Sequence, residues 1–68
     1  MSSKKLMVGD LDRGEYCVIK GTGNLYQVGR VLGDTKDHRL AWDKSGNRKE
    51  LYCGNECVRL SRKEFIGD

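Results

Sequence analysis

The cysteines are the first candidates for chemistry in this sequence. Cys53 and Cys57 lie in the stretch ELYCGNECVRL, and Cys17 lies far upstream. With His38, the single histidine, they make four potential ligands, which is the number that a structural zinc site needs. The close pairs of ligands typical of zinc sites, such as C-x-x-C, are missing, and Cys17 lies within a predicted strand. Zinc binding is therefore one hypothesis, and a redox pair is another.

A third interpretation treats the cysteines as core residues, and it is the one we favour. A redox pair needs a lowered thiol pKa, commonly from a helix N-terminus or nearby cations, and no such helix is predicted. Free cysteine is among the most buried residue types, and Gly54 and Asn55 are turn formers. We expect Cys53 and Cys57 to end one strand and begin the next, pointing inward near Cys17. The sequence thus predicts no metal and no cofactor.

Other potential catalytic groups are scattered along the chain. His38 has no nucleophile placed beside it by the sequence, and the acids Asp43, Glu50 and Glu56 form no arrangement that would push their pKa values apart. The stretch GTGN lacks the Gly-Lys-Ser/Thr or helix start of a phosphate-binding loop. These observations predict that the protein is not an enzyme.

Length and composition predict one globular domain. The chain has 68 residues, of which 37% are hydrophobic and 34% charged, so its core must be thin. Its apolar runs are too short for a membrane span or a signal peptide, and an odd number of cysteines fits a reducing compartment. We therefore expect a cytoplasmic protein without membrane contact. The net charge of +3 permits an anionic partner.

Short β-rich runs separated by turn residues predict the secondary structure. These runs are EYCVIK, LYQVGRVLG, HRLAWDK, RKELYCG and CVRLS. Five short strands predict an all-β fold, a small five-stranded barrel that protects its edges by closure. We expect a short flexible N-terminal tail over 1–12, the barrel over 13–63 and a C-terminal tail over 64–68. The predicted buried residues are Val18, Val31, Leu40, Leu51 and Val58, with Trp42 on the face of Leu40.

The chain resembles an SH3-like barrel of the Tudor and KOW kind over roughly 13–61. The resemblance rests on YCVIK, on LYQVGRVLG with its aromatic residue and Gly-x-Val, on LAWDKSGN and on the closing VRL. Tudor modules bind methylated Lys or Arg in an aromatic cage, which here would require Tyr26, Trp42 and Tyr52 to converge. KOW modules, which CVIKGTGNLYQVGRV resembles, generally contact RNA or the transcription and translation machinery.

The stretch ELYCGNECVRL also resembles the closing segment of the type II dihydrofolate reductases, which are SH3-like barrels too. In that family a glutamine of this segment lines the active-site pore. Glu50 stands at its place in this chain, and this departure argues against the reductase activity.

Basic residues cluster around the predicted hairpin that contains SGN. Basic groups beside stacking rings are typical of small barrels that bind nucleic acid. We therefore predict a binding module that contacts nucleic acid or a protein of the transcription and translation machinery. The alternative is a protein-protein adaptor or small inhibitor that does not bind nucleic acid, and the oligomeric state stays open. The predicted binding residues are Tyr26, Arg39, Trp42, Lys44, Arg48 and Lys49.

Overall fold

The computed structural model describes residues 5–33 and 37–67. In this part of the chain, a short 3₁₀ helix precedes five strands, and one α-helix, α1, follows them. The 3₁₀ helix is Val8–Asp10, and the strands are β1 (Tyr16–Ile19), β2 (Leu25–Val31), β3 (His38–Asp43), β4 (Arg48–Tyr52) and β5 (Cys57–Leu60). Helix α1 spans Arg62–Ile66. This arrangement confirms the predicted all-β fold.

The strands form a single antiparallel sheet in the order β4-β3-β2-β1-β5. Consecutive strands from β1 to β4 are neighbours, and β5 returns to pair with β1. The turn between β4 and β5 is closed by the Asn55 amide, which donates to the Tyr52 carbonyl at 3.0 Å. This is the CGNEC stretch, where the sequence predicts a turn.

The core lies on one face of the sheet. Because successive side chains in a strand point to opposite faces, each strand contributes alternate residues to it. The buried hydrophobic residues are Val8, Leu11, Cys17, Ile19, Val28, Ala41, Leu51 and Cys57.

The predicted core residues fall partly on the other face, which we call the outer face. Leu51 is buried as predicted, whereas Val18 and Leu40 are half-buried. The prediction is wrong for Val31 and Val58, each of which is 44% exposed. For Val58 the physical reason is strand phase: Cys57 occupies the core face, so Val58 beside it points outward. Val31 pairs with Arg39 beyond the bulge and is exposed because it is the last residue of β2.

Part of the segment predicted to be a flexible N-terminal tail packs on the sheet. The amides of Val8 and Gly9 donate to the carbonyls of Asn55 and Cys53 at 2.9 and 3.0 Å. This docking buries Val8 completely and Leu11 almost completely. A single small sheet leaves much of its core face exposed, so the segment supplies apolar cover that the strands alone lack. Residues 1–4 of the predicted tail lie outside the described residues.

A β-bulge in β2 shapes both faces of the sheet. Val28 pairs with Ala41 and Val31 pairs with Arg39, so β2 contains one residue more than β3 between these pairs. Gly29 lies in the bulge, where an added Cβ would lie 2.8 Å from Cζ3 of Trp42. A side chain at this position would therefore clash with the indole ring.

Helix α1 covers one end of the outer face. Ser61 caps it, because its hydroxyl oxygen accepts a hydrogen bond from the Glu64 amide at 3.1 Å, and the Glu64 side chain returns a bond to the Ser61 amide. The rings of Phe65 and Tyr16 lie 4.7 Å apart. Much of the segment predicted as a C-terminal tail is therefore helical and packed, and Asp68 lies outside the described residues.

Candidate functional site

The turn between β3 and β4 is held by Asp43. Its Oδ1 accepts hydrogen bonds from the amides of Ser45 and Asn47 at 2.9 and 3.0 Å, and Gly46 adopts a φ of 86° that favours glycine. The hydrogen bond from Asn47 is the main cause that lowers the pKa of Asp43, with the bond from Ser45 and the charge of Lys49 adding to it. The turn is thus a defined structure that fixes the directions of the side chains beside it.

Three basic side chains project from this hairpin. Lys44, Arg48 and Lys49 are all exposed. Within residues 5–33 and 37–67, the ion pairs join Lys20 to Glu56 and Arg59 to Glu15, away from the hairpin. We call these three residues the basic hairpin.

Lys44 and Lys49 line a shallow groove on the core side of the hairpin. This groove has a volume of about 450 Å³ and is open to solvent. Tyr26 forms part of its wall, together with the loop at Gly23 and Asn24. The phenol ring also packs against the core, so one predicted aromatic residue does lie beside two predicted cations.

Trp42 lies in a second groove, on the outer face. This groove has a volume of about 410 Å³, and we call it the Trp42 groove. Its lining includes Arg13, Gln27, Gly29, Arg30, Leu40 and Trp42. Trp42 pairs with Arg48 across the neighbouring strand, so the indole ring and this cation share a face of the sheet.

The structure places Arg39 apart from the other predicted site residues. Its side chain is 2% exposed, so it is removed from the predicted cationic surface. Its Nε and Nη2 donate to the carbonyl oxygen of Gly29, and its Nη1 donates to those of Val8 and Leu11 at 3.0 and 2.7 Å. A buried charge must have its hydrogen bonds satisfied, and the bulge and the N-terminal segment satisfy them here.

Arg13 and Arg30 were not predicted as site residues. Both are exposed and line the Trp42 groove. The sequence could not place Arg30 at this groove, because a bulge changes where side chains point, and it gave no sign of Arg13, which reaches the groove through the loop before β1. The Gly-Arg pair inside the β2 run is the signal that could have indicated the bulge, since glycine within a strand often marks one.

Two of the cysteines meet in the core. Cys17 and Cys57 are buried on adjacent strands, as the core interpretation predicts, and lie close enough for each thiol to affect the pKa of the other. Cys53 is half-buried and lies against Gly9 instead, and the His38 ring lies 5.6 Å from that of Tyr52. The described part of the chain contains no group of three or more His, Cys, Asp or Glu residues that could hold a metal ion.

The buried thiols predict a loss of stability at alkaline pH. Burial, followed by the proximity of Cys57, raises the pKa of the Cys17 thiol to about 12. The unfolded chain releases this proton at lower pH than the folded chain does, so stability is full below about pH 8.5 and falls as the pH rises toward 12. We expect urea midpoints to decrease between about pH 8.5 and pH 10.5. The decrease should be smaller in Cys17→Ala; an identical decrease in both proteins would contradict this assignment.

In the residues that the structure describes, no helix is long and apolar enough to cross a membrane. Comparison of the chain with known protein families, with curated proteins and with solved structures found no match.

Proposed function

We propose that this chain is a small non-catalytic binding module that contacts nucleic acid through the basic hairpin. The observation that carries the proposal is the exposure of Lys44, Arg48 and Lys49 on one well-defined turn. Phosphate groups of a nucleic acid bind such cations and release counterions, which supplies affinity regardless of base sequence.

The acids near the hairpin leave this positive charge largely in place. Asp43 accepts hydrogen bonds from two backbone amides of its own turn and also interacts with the charge of Lys49, while Glu50 follows Lys49 in β4, opposite Leu40. The three cations outnumber these two acids, so the hairpin keeps a net positive charge. Each basic side chain is exposed and can therefore exchange water for phosphate at little cost. The cations of the basic hairpin are thus available to bind an extended anionic partner.

The resemblance to KOW modules supports the same proposal, because those modules generally contact RNA or the transcription and translation machinery. A five-stranded antiparallel sheet in which β5 pairs with β1 is compatible with an SH3-like barrel. We place the module in the cytoplasm, where a reducing environment would keep its three free cysteines as thiols.

A salt-dependent titration tests the proposal. Wild type and Arg48→Ala/Lys49→Ala are titrated against a labelled duplex and a single strand, from about 50 to about 200 mM salt, by fluorescence anisotropy. If both cations contact phosphates, the double variant should lower the slope of log affinity against log salt by about 1.8 on the duplex and about 1.4 on the single strand.

The matched control is Arg62→Ala/Lys63→Ala, which removes the same charge from helix α1. It should change the slope much less than the hairpin variant does. Equal losses in the two variants would show that net charge, and not the hairpin, governs binding. Absence of binding to either nucleic acid at about 50 mM salt would contradict the proposal and favour a protein-protein adaptor or inhibitor, whose affinity depends less steeply on salt.

A further inference from the structure

The Trp42 groove combines an aromatic ring with basic side chains on the outer face. Arg13 and Arg30 line the groove beside the indole ring, and Arg48 of the basic hairpin is the cross-strand neighbour of Trp42. Among the described residues that line this groove, none is acidic. The groove therefore offers a flat apolar surface within a positively charged rim.

The floor of the groove is held in place by backbone contacts. Gln27 donates a side-chain hydrogen bond to the Gly14 carbonyl at 3.3 Å, and the Gly14 amide donates to the Val28 carbonyl at 2.8 Å. The indole ring lies directly over Gly29, where a Cβ would lie 2.8 Å from it. A ring supported in this way is ordered before any ligand arrives, which lowers the entropic cost of binding.

The bulge in β2 explains why Arg30 lies at this groove. The extra residue between the Val28 and Val31 pairings interrupts the regular alternation of the strand, and bulges commonly redirect a side chain next to a functional site. Arg30 is exposed and lines the groove together with Trp42. The same bulge thus provides both the close approach of the ring to Gly29 and a cation beside it.

We propose that the Trp42 groove binds an unpaired base of single-stranded nucleic acid by stacking on Trp42, while Arg13 and Arg30 contact the flanking phosphates. This inference rests on the proposed function and specifies its ligand. A base in a duplex is already stacked and paired, so it cannot enter the groove, whereas a base of a single strand can. Arg48 links the groove to the basic hairpin, so one strand can contact both.

The single tryptophan makes the inference directly measurable, because the indole fluorescence of this chain comes from Trp42 alone. Oligothymidine of about ten nucleotides, which suits a site of this size, is added at low salt. The expected result is quenching of Trp42 emission and protection of the ring from acrylamide. The same sequence as a duplex should bind through the hairpin, as judged by anisotropy, without quenching.

Two further variants separate the contribution of stacking to single-strand binding from the contribution of charge. Trp42→Leu is expected to weaken single-strand binding by about 5- to 100-fold and duplex binding by less than about twofold. Because this variant could also disturb the sheet, Arg13→Ala/Arg30→Ala is measured with the wild-type ring in place. It should reduce single-strand affinity and quenching more than Arg62→Ala/Lys63→Ala, which removes equal charge from α1.

The outcomes distinguish this inference from the proposed function. Salt-dependent binding of the single strand without quenching would overturn the inference and leave the hairpin proposal standing. No binding of either nucleic acid would overturn both. Equal quenching by oligoglutamate would also overturn the inference, because it would show a groove that accepts any polyanion or an acidic protein segment.

Discussion

Replacing Arg39 with methionine is expected to lower the free energy of unfolding by about 3 kcal/mol or more. The guanidinium is buried and donates four hydrogen bonds to the carbonyls of Gly29, Val8 and Leu11. Methionine fills a similar space but donates none of these bonds, so carbonyl groups are left buried without a donor. A domain of this size is rarely more stable than about 5 kcal/mol, so the variant should keep about 2 kcal/mol or less and unfold at a much lower urea concentration than wild type.

The matched control for this variant is Arg59→Met. Arg59 is also an arginine of a strand, but its side chain is 53% exposed and forms an ion pair with Glu15 at 2.9 Å. Its replacement should change stability by less than about 1 kcal/mol. Urea denaturation followed by circular dichroism measures both variants. An Arg39→Met protein as stable as Arg59→Met would show that the Arg39 side chain is not buried and hydrogen-bonded as in this structure.

The second large effect is expected from Val8→Ala/Leu11→Ala. These residues lie in the N-terminal segment, and both belong to the core. Removing their buried methyl groups should cost about 4 kcal/mol in total, through lost burial and the cavities left behind. The double variant should therefore lose its cooperative unfolding transition, or show it at a much lower urea concentration.

The control for this prediction is Val31→Ala/Val58→Ala, in which both residues are 44% exposed. It should cost about 1 kcal/mol or less. If the two double variants proved equally stable, the N-terminal segment would not cover the core face. The comparison also tests strand phase, since Val58 would be a core position if the opposite face of the sheet were buried.

The sequence predicts the type of fold better than the faces of its strands. β-branched and aromatic residues between turn formers indicate strands, and the structure confirms five of them. Which face is buried depends on partners distant in sequence, here the N-terminal segment with Val8 and Leu11. In the strand HRLAWD, the alternate residues Leu40 and Trp42 are larger and more apolar than Ala41 between them. The alternation pattern therefore predicts that the face with Leu40 and Trp42 is buried, whereas the structure buries the face with Ala41.

The candidate site, like the fold, could be predicted from the sequence only in part. The exposure of Lys44, Arg48 and Lys49 beside a turn follows from local sequence, because SGN marks the turn and cations flank it. The burial of Arg39 does not follow, since its acceptors come from a bulge and from a segment that carries no strand pattern. Likewise, Tyr26 and Trp42 were predicted together, but β2 and β3 place them in different grooves.

The central claim is that nucleic acid binds to the basic hairpin and the adjoining outer face, and NMR amide chemical shifts test it most directly. A short single strand is titrated into isotopically labelled protein at low salt. We expect the largest shifts on residues 44–49 and on Gln27–Arg30, with small shifts on β5. Shifts concentrated on β5, or no shifts at all, would contradict the proposal.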